Sequence, residues 1–356
     1  MAVAEAPETA PMRPDETLDV RALDAYCRPR LPRATGPLGV EQFPGGHSNL
    51  TYLLRYADAE YVLRRPPHGP VAPRAHDMGR EYRVLSALWR VFPPAPRPYF
   101  YCDDPAVIGA PFYVMERRRG LVLRREDPPA WAAEPARRRR ASEALVDAMV
   151  ALHAVDWRAA GLGDLGRPEG FVARQVRGWA ERWARAKDRE VEAVDALARW
   201  LAARVPEPGD ATLVHGDFKF DNVMLDSTDP GRVVAVLDWE MCTTGDPLVD
   251  LGLLLAYWPE PGDPEPRRAA MPPLTLAPGY LTRAEVVARY ARATGRDVSR
   301  IGFYEVFALY KIAVVVQQIY IRWKRGQTQD ARFATFGARA EALARVALDL
   351  AEKVDR

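Results

Sequence analysis

The stretch VHGDFKFDNVML, residues 214–225, decides the fold. Asp217 ends a short apolar run that has the character of a strand, and Asn222 follows five residues later. Sixteen residues beyond Asn222, Asp238 ends a second apolar run, VVAVLD. Two strand ends therefore deliver three oxygen-bearing side chains into one loop region.

Three oxygen donors in this order suit phosphoryl transfer. A transferring phosphoryl group carries spread negative charge, and Mg²⁺ bridges its oxygens through carboxylate, amide and water ligands. Asn222 and Asp238 fit the metal, and Asp217 fits the role of a carboxylate that receives the acceptor proton. Each residue alone is also compatible with a turn cap or a strand-end carboxylate, but their combined order and spacing favour phosphoryl transfer.

The segment resembles the catalytic loop of the aminoglycoside phosphotransferase family, in which HGDxxxxN precedes a strand-borne D-x-D/E. Here these patterns read HGDFKFDN and Asp238-Trp239-Glu240. The resemblance implies that Asp217 is the catalytic base and that Asn222 and Asp238 bind Mg²⁺. It also implies that Glu240 supports this metal site or binds a second metal ion.

Residues around this loop receive supporting roles. Protein kinases, whose HRDxxxxN pattern is related, carry a phosphate-contacting lysine two residues after the base, so Lys219 is a candidate catalytic residue. His215 is interpreted as structural. In GDPLVDLG, Asp246 is expected to cap the next helix and Asp250 to brace the catalytic loop from inside.

A glycine turn is the first candidate element of an ATP site. FPGGHSNLTYLL (43–54) reads as strand, turn and strand, with Gly46, Ser48 and Asn49 near its tip. Small residues let backbone N–H groups approach phosphate, although an ordinary turn has the same composition. The turn resembles the GGxSN loop of phosphotransferases related to the kinase-like domain of some acyl-CoA dehydrogenases.

A cation and its anchor form the second element. Arg64 stands in YVLR, where protein kinases carry the ATP-binding lysine, and arginine binds phosphate through two N–H groups. Glu81 lies 17 residues later on a predicted helix and is the candidate anchor for Arg64. The alternative for Glu81 is a solvated carboxylate that pairs with Arg80 or Arg83.

The third element is a linker, PFYVMERRRG (111–120), which resembles the segment that joins the two lobes of kinases. We expect Met115 to line the adenine slot there. The carbonyl of Glu116 and the N–H of Arg118 are the expected adenine contacts.

The order of predicted elements indicates an α+β architecture with a small β-rich N-lobe and a larger, mostly helical C-lobe, and the resemblance implies that this is a protein-kinase-like, two-lobed fold. Three strands, a helix and two strands precede residue 116, and long helices are predicted at 136–157 and 170–205. The predicted divisions are a disordered tail (1–17), a nucleotide-binding lobe (18–116), a hinge (117–121) and a catalytic and substrate lobe (122–356).

Composition limits the partners. The chain of 356 residues has 50 basic and 48 acidic side chains, a balance that offers no argument for a nucleic-acid partner. Its three cysteines are far apart, odd in number and without metal-ligand spacing, which argues against a disulfide framework or zinc site and suits a reducing cytosol. Apolar stretches such as LVDLGLLLAYW fall short of the roughly 20 residues of a membrane span. We therefore expect a cytoplasmic protein without a membrane partner and leave its oligomeric state open.

The sequence as a whole predicts an ATP- and Mg²⁺-dependent kinase that acts on a small-molecule hydroxyl. The acceptor is expected to be an anionic or apolar metabolite, such as a hydroxyacyl thioester by analogy with the dehydrogenase-linked relatives. Three alternatives stay open: an aminoglycoside or macrolide antibiotic kinase, a catalytically weak nucleotide-binding scaffold, and a hydrolase in which water replaces the alcohol.

Overall fold

The computed structural model describes residues 8–44, 49–67, 76–328 and 330–355. The chain separates into two compact units, here called unit 1 and unit 2. Unit 1 comprises Met1–Arg119 and Val234–Cys242, and unit 2 comprises Gly120–Val233 and Thr243–Arg356. The segment that carries Asp238 thus belongs to unit 1. The predicted division had placed it in the catalytic and substrate lobe (122–356), because that division cuts the chain only once, at the hinge.

Unit 1 is built on a five-stranded antiparallel sheet with the order β1-β2-β3-β5-β4. Its elements are α1 (Val20–Cys27), β1 (Gly39–Gln42), β2 (Leu50–Arg55), β3 (Glu60–Arg65), α2 (Met78–Leu88), β4 (Pro98–Cys102), α3 (Pro105–Ile108) and β5 (Phe112–Glu116). The predicted order of three strands, a helix and two strands is present. The short helix α3 between β4 and β5 was not predicted.

The two faces of this sheet differ in the residues that they carry. Leu54 of β2 and Leu63 of β3 belong to the apolar core, together with residues of α1. Because strand residues alternate between faces, Arg64 shares the other face with Val62. The partner of Val62 in the adjacent strand β5 is Met115. Alternation sends Arg65 to the core side, where its Nη1 donates to the Ile108 carbonyl at 2.9 Å.

The predicted disordered tail, residues 1–17, is partly structured. Residues 1–7 lie outside the described residues, but Ala10 forms an antiparallel bridge with Gln42 of β1. The Gln42 side chain accepts the Arg13 N–H at 3.0 Å, and the Tyr52 hydroxyl donates to the Glu16 carbonyl at 2.8 Å. The prediction of disorder was therefore wrong for residues 8–17, because the open edge of β1 supplies backbone partners that composition does not reveal.

Unit 2 is mostly helical. Its elements, with β9 spanning the boundary to unit 1, are β6 (Leu121–Val122), α4 (Pro135–His153), α5 (Phe171–Ala186), α6 (Glu192–Ala203), β7 (Thr212–Val214), β8 (Val223–Leu225), β9 (Val233–Val236), β10 (Thr243–Gly245), α7 (Leu248–Ala256), α8 (Glu265–Ala270), α9 (Arg283–Thr294), α10 (Ile301–Lys324) and α11 (Phe336–Val354). β7 pairs antiparallel with β10, a strand that was not predicted.

Helix α10 organises the core of unit 2 and packs against α7, α11 and α5. Gly252 of α7 permits this close approach, since a Cβ there would lie 2.6 Å from backbone atoms of Tyr304. By length and composition, α10 is the one described helix that is able to cross a membrane, but 67% of its apolar window is buried in the structure. A helix buried in a protein core has the same length and apolar composition, so these two properties alone are weak evidence for a membrane span.

Candidate active site

The catalytic loop of unit 2 begins where β7 ends. Gly216 has a φ of 82°, in the left-handed region that glycine adopts without steric cost. Asp250 of α7 is fully buried, and its carboxylate accepts the N–H of His215 at 2.6 Å and the N–H of Gly216 at 2.7 Å. The predicted brace of the loop by Asp250 is confirmed.

Asp250 has further partners behind the loop. Its Oδ2 lies 3.2 Å from Nε2 of His153, whose Nδ1 lies 2.9 Å from the Tyr290 hydroxyl. Burial acts to raise the pKa of Asp250, but the hydrogen bonds and the charge of neighbouring groups hold that pKa below its ordinary value. The brace is therefore an ionised carboxylate.

Asp217 is held on two sides and remains accessible, with 29% of its side chain exposed. Nδ2 of Asn222 donates to the Asp217 carbonyl and to its Oδ2, both at 2.8 Å. The Lys219 ammonium donates to the same carboxylate. Burial acts to lower the pKa of Lys219, but Asp217 and Tyr257 raise it overall, so the loop contains a charged pair.

His215 and Asp246 have structural contacts, as predicted. His215 is fully buried, and its Nδ1 accepts the Asp217 N–H at 3.3 Å. Asp246 accepts the Leu248 N–H at 2.9 Å and the Tyr304 hydroxyl at 2.6 Å. The prediction of Asp246 as the N-cap was wrong, because Pro247 occupies that position, but the Asp246 carboxylate holds the first N–H of α7 from one residue further upstream.

The predicted cation and anchor meet in unit 1. Nη1 of Arg64 donates to Oε1 of Glu81 at 2.6 Å. Glu81 has 0% exposure, so the alternative of a solvated helix carboxylate was wrong. Burial raises the pKa of Glu81 and acts to lower that of Arg64, but Glu81 and Asp238 hold the pKa of Arg64 well above its ordinary value.

Asp238 joins the same pair. Nη2 of Arg64 donates to its Oδ1 at 3.0 Å, and the N–H of the next residue, Trp239, donates to Oε1 of Glu81 at 3.1 Å. Asp238 has a φ of 66°, a left-handed conformation that aspartate tolerates better than most residues. Glu81 thus fixes both the cation and the turn that presents the Asp238 carboxylate.

A second cluster in unit 1 involves Asn49, Glu240 and His76. Asn49 is 2% exposed, and its Nδ2 donates to Oε2 of Glu240 at 3.0 Å. Its Oδ1 lies 2.8 Å from Nδ1 of His76. Both ends of the Asn49 amide therefore bond within the protein, and its nucleotide role stays a prediction. The other two turn residues, Gly46 and Ser48, lie outside the described residues.

The predicted adenine slot has an apolar and a polar part. Met115 is 7% exposed and pairs with Val62 across the sheet. Oε2 of Glu116 accepts the Arg97 N–H at 3.2 Å and lies 3.0 Å from Nη2 of Arg118. The side chains of Glu116 and Arg118 thus bind each other, and their backbone contacts with adenine stay predictions.

The candidate metal ligands are hard oxygen donors. Asn222 uses Nδ2 for both of its described side-chain hydrogen bonds, so its amide oxygen is an available acceptor, and Asp238 supplies a carboxylate. Both donors fit Mg²⁺. Within the described part of the chain, no group of three or more His, Cys, Asp or Glu is arranged to hold a metal. A bound Mg²⁺ would therefore need the amide oxygen together with water or phosphate oxygens.

Sequence reasoning missed two residues beside the loop. Nζ of Lys311, on α10, donates to the Gly216 carbonyl at 2.7 Å. The ring of Tyr257 lies with its centroid 5.1 Å from Nζ of Lys219, and burial raises the pKa of Tyr257 to about 12. The signal for Lys311 was a single cation inside the apolar run ALYKIAVVV (308–316).

Comparison with known proteins identifies the family. Residues 39–280 match the phosphotransferase enzyme family APH. The chain belongs to this family. Acyl-CoA dehydrogenase family member 10 of Mus musculus is 34% identical over 350 residues, which cover 98% of this chain and 32% of that protein. The chain thus spans about a third of the length of this relative.

Solved structures agree with the family and the fold. A candidate aminoglycoside phosphotransferase from Ralstonia eutropha has a TM-score of 0.80 and 33% identity, and the match covers 95% of this chain and 99% of that one. A thermostable mutant of an aminoglycoside phosphotransferase, in a ternary complex with AMP-PNP and hygromycin B, has a TM-score of 0.56 and 19% identity over 91% of this chain and 98% of that one. The predicted α+β, protein-kinase-like fold is confirmed.

Proposed function

We propose that this APH-family chain transfers the γ-phosphoryl group of ATP, with Mg²⁺, to a hydroxyl of a small molecule. One observation carries the proposal: the Asp217 carboxylate is accessible and paired with Lys219 on a loop whose backbone is held by the buried Asp250. A rigid loop that presents an ionisable acceptor group is what base-assisted phosphoryl transfer requires.

In the proposed reaction, Asp217 receives the proton of the acceptor hydroxyl. The acceptor oxygen then forms a bond to the γ-phosphorus, and the bond from that phosphorus to the bridging oxygen of ADP breaks. Lys219 pairs with Asp217 before the proton arrives and supplies positive charge beside the transferring group. Asn222 orients Asp217 through its Nδ2 hydrogen bonds.

Nucleotide binding is assigned to residues of unit 1. Arg64, anchored by Glu81, would bind the α- and β-phosphates, and Met115 with the backbone of Glu116 and Arg118 would bind adenine. The related aminoglycoside phosphotransferase in complex with AMP-PNP supports the use of a nucleotide.

The metal is assigned to oxygen donors. Asn222 and Asp238 would hold Mg²⁺, which supplies positive charge that neutralises the phosphate oxygens. Glu240, which accepts from Asn49, would support this site or bind a second metal ion.

The acceptor is assigned to a cleft of unit 2 beside Lys219. Its charged lining consists of two cations, Arg124 and Lys219, and one carboxylate, Asp221. The remaining lining is mostly apolar or aromatic and includes Phe220, Leu254, Tyr257, Trp258, Pro272 and Leu274. Because this lining is mostly apolar and has no excess of carboxylates, we propose an anionic or apolar alcohol rather than a polycationic drug.

An antibiotic kinase is the second candidate function, because the related aminoglycoside phosphotransferase binds hygromycin B.

We also propose a cytoplasmic location. Cys27, Cys102 and Cys242 are all buried as free thiols, which suits a reducing compartment.

Mg-ATP is expected to raise the melting temperature. A ligand at about 100 times its Kd stabilises the folded state by about 2.7 kcal/mol. We expect this rise with the wild-type protein and Mg-ATP, and a smaller rise when Asp238→Ala removes a proposed metal ligand. Differential scanning fluorimetry measures both. No rise at saturating Mg-ATP would contradict the nucleotide site.

An acceptor panel separates the two candidate functions. Candidate alcohols, including aminoglycosides, macrolides and hydroxyacyl-CoAs, are incubated with Mg-ATP, and phosphorylated products are sought by mass spectrometry. We expect an anionic or apolar alcohol to be phosphorylated and the polycationic drugs to be unchanged. Efficient phosphorylation of an aminoglycoside would instead establish the antibiotic kinase.

A further inference from the structure

Lys311 is a cation in the middle of the longest helix of the structure. Its side chain is partly buried, and its ammonium lies 5.6 Å from the centroid of the Trp179 ring on α5. Burial lowers the pKa of Lys311, which means that the folded protein places a charged group where solvation is poor. A cation in such a position needs compensating partners.

The main partner of Lys311 is the peptide bond that precedes Asp217. Its Nζ donates to the carbonyl of Gly216 at 2.7 Å. The N–H of the same peptide bond belongs to Asp217 and donates to Nδ1 of His215 at 3.3 Å. The peptide plane is therefore held from both edges, by a helix 95 residues away in sequence and by the preceding turn.

The charges around Lys311 come from several elements. Asp217 of the loop and Asp250 of α7 attract its ammonium, whereas Lys219 of the loop and Arg182 of α5 repel it. Asp250 fixes the two N–H groups that precede this peptide bond. Lys311 fixes the carbonyl of this peptide bond, so the backbone from His215 to Gly216 is held by side chains from two helices.

We propose that Lys311 is a positioning residue for phosphoryl transfer, which orients Asp217 through the Gly216–Asp217 peptide bond. The proposal rests on the proposed function of Asp217. Lys311 acts through the backbone of the catalytic loop, and its described contacts are with the Gly216 carbonyl and the Trp179 ring of the same unit. Its removal therefore affects the chemical step and spares ATP binding.

The test uses Lys311→Met, which removes the charge and the donor but keeps an unbranched side chain. Since a displacement of about 1 Å near the reacting groups costs about 100-fold in rate, we expect kcat to fall by roughly 10–100-fold. The Kd of Mg-ATP and the KM for ATP are expected to stay within about two-fold of the wild-type values, since Lys311 provides no nucleotide contact. Lys311→Arg keeps a charged donor and is expected to recover most of kcat.

The matched control is Lys324→Met, on the same helix. Lys324 is exposed and pairs with Asp188 at 2.7 Å, so its loss is expected to leave kcat unchanged. Kinetics are measured with the best acceptor of the panel, and folding by the melting temperature. If Lys311→Met misfolds, Lys311→Gln replaces it in the same comparison.

A double variant separates positioning from general structural support. Once Asp217→Asn has removed the base, adding Lys311→Met is expected to lower kcat no further, because Lys311 acts through Asp217. A further loss that multiplies the first would contradict the proposal, and so would a wild-type kcat for Lys311→Met. A normal kcat for Asp217→Asn alone would instead contradict the proposed function.

Discussion

Asp217→Asn is expected to lower kcat by about 10²–10⁴-fold, the range that a general base contributes. Asparagine keeps the shape and the carbonyl oxygen of Asp217 but accepts a proton far less readily. The proposed nucleotide contacts come from other residues, Arg64 with its anchor Glu81, so the affinity for Mg-ATP is expected to change little. Steady-state kinetics with the best acceptor and a titration with Mg-ATP measure the two quantities.

Asp226→Asn is the control for this prediction. Asp226 follows the same loop, but its Oδ1 caps the next turn by accepting the N–H groups of Thr228 and Asp229 at 2.8 and 3.0 Å. Its replacement is expected to reduce stability and leave kcat intact. A normal turnover number for Asp217→Asn would show that another group receives the acceptor proton.

Glu81→Ala is expected to have the largest effect on stability. It leaves the buried Arg64 guanidinium without its 2.6 Å partner, and removing one partner of a buried pair costs about 3–5 kcal/mol. It also removes the acceptor of the Trp239 N–H, which fixes the turn at Asp238. We therefore expect a lower midpoint of urea denaturation and a weaker affinity for ATP.

Two further variants distinguish stability from nucleotide binding. The double variant Arg64→Met/Glu81→Leu replaces both charges with apolar side chains, which restores much of the stability of a buried pair. It is expected to recover part of the urea midpoint, since the Trp239 N–H still lacks its acceptor, but not ATP affinity. Glu143→Ala breaks an exposed pair with Arg139 on α4 and is expected to change stability by less than about 1 kcal/mol. Recovery of ATP affinity in the double variant would show that Arg64 has only a structural role.

Local patterns predicted part of this site well. The pairing of Arg64 with Glu81 was predicted from the resemblance to the cation and anchoring glutamate of kinases, and a solvated Glu81 was the alternative left open. The brace by Asp250 was also predictable, since a carboxylate inside the apolar run LVDLGLLLA requires buried donors.

Contacts between distant segments were not predictable in the same way. Lys311 meets the Gly216 carbonyl across 95 residues, and a single cation in an apolar helix does not specify its partner. The pairing of Ala10 with Gln42 depends on an open strand edge, and the grouping of residues 234–242 with unit 1 depends on packing. These features follow from tertiary structure, on which propensity and periodicity carry little information.

The most direct test follows the phosphoryl group itself. ATP labelled with ¹⁸O in its γ-phosphoryl group is incubated with Mg²⁺, the acceptor panel and either wild-type protein or Asp217→Asn, and the products are weighed by mass spectrometry. We expect the wild-type protein to transfer the labelled group to an alcohol and the variant to transfer far less. Label found only in inorganic phosphate, or equal transfer by both proteins, would contradict the assignment of a phosphotransferase that uses Asp217 as its base.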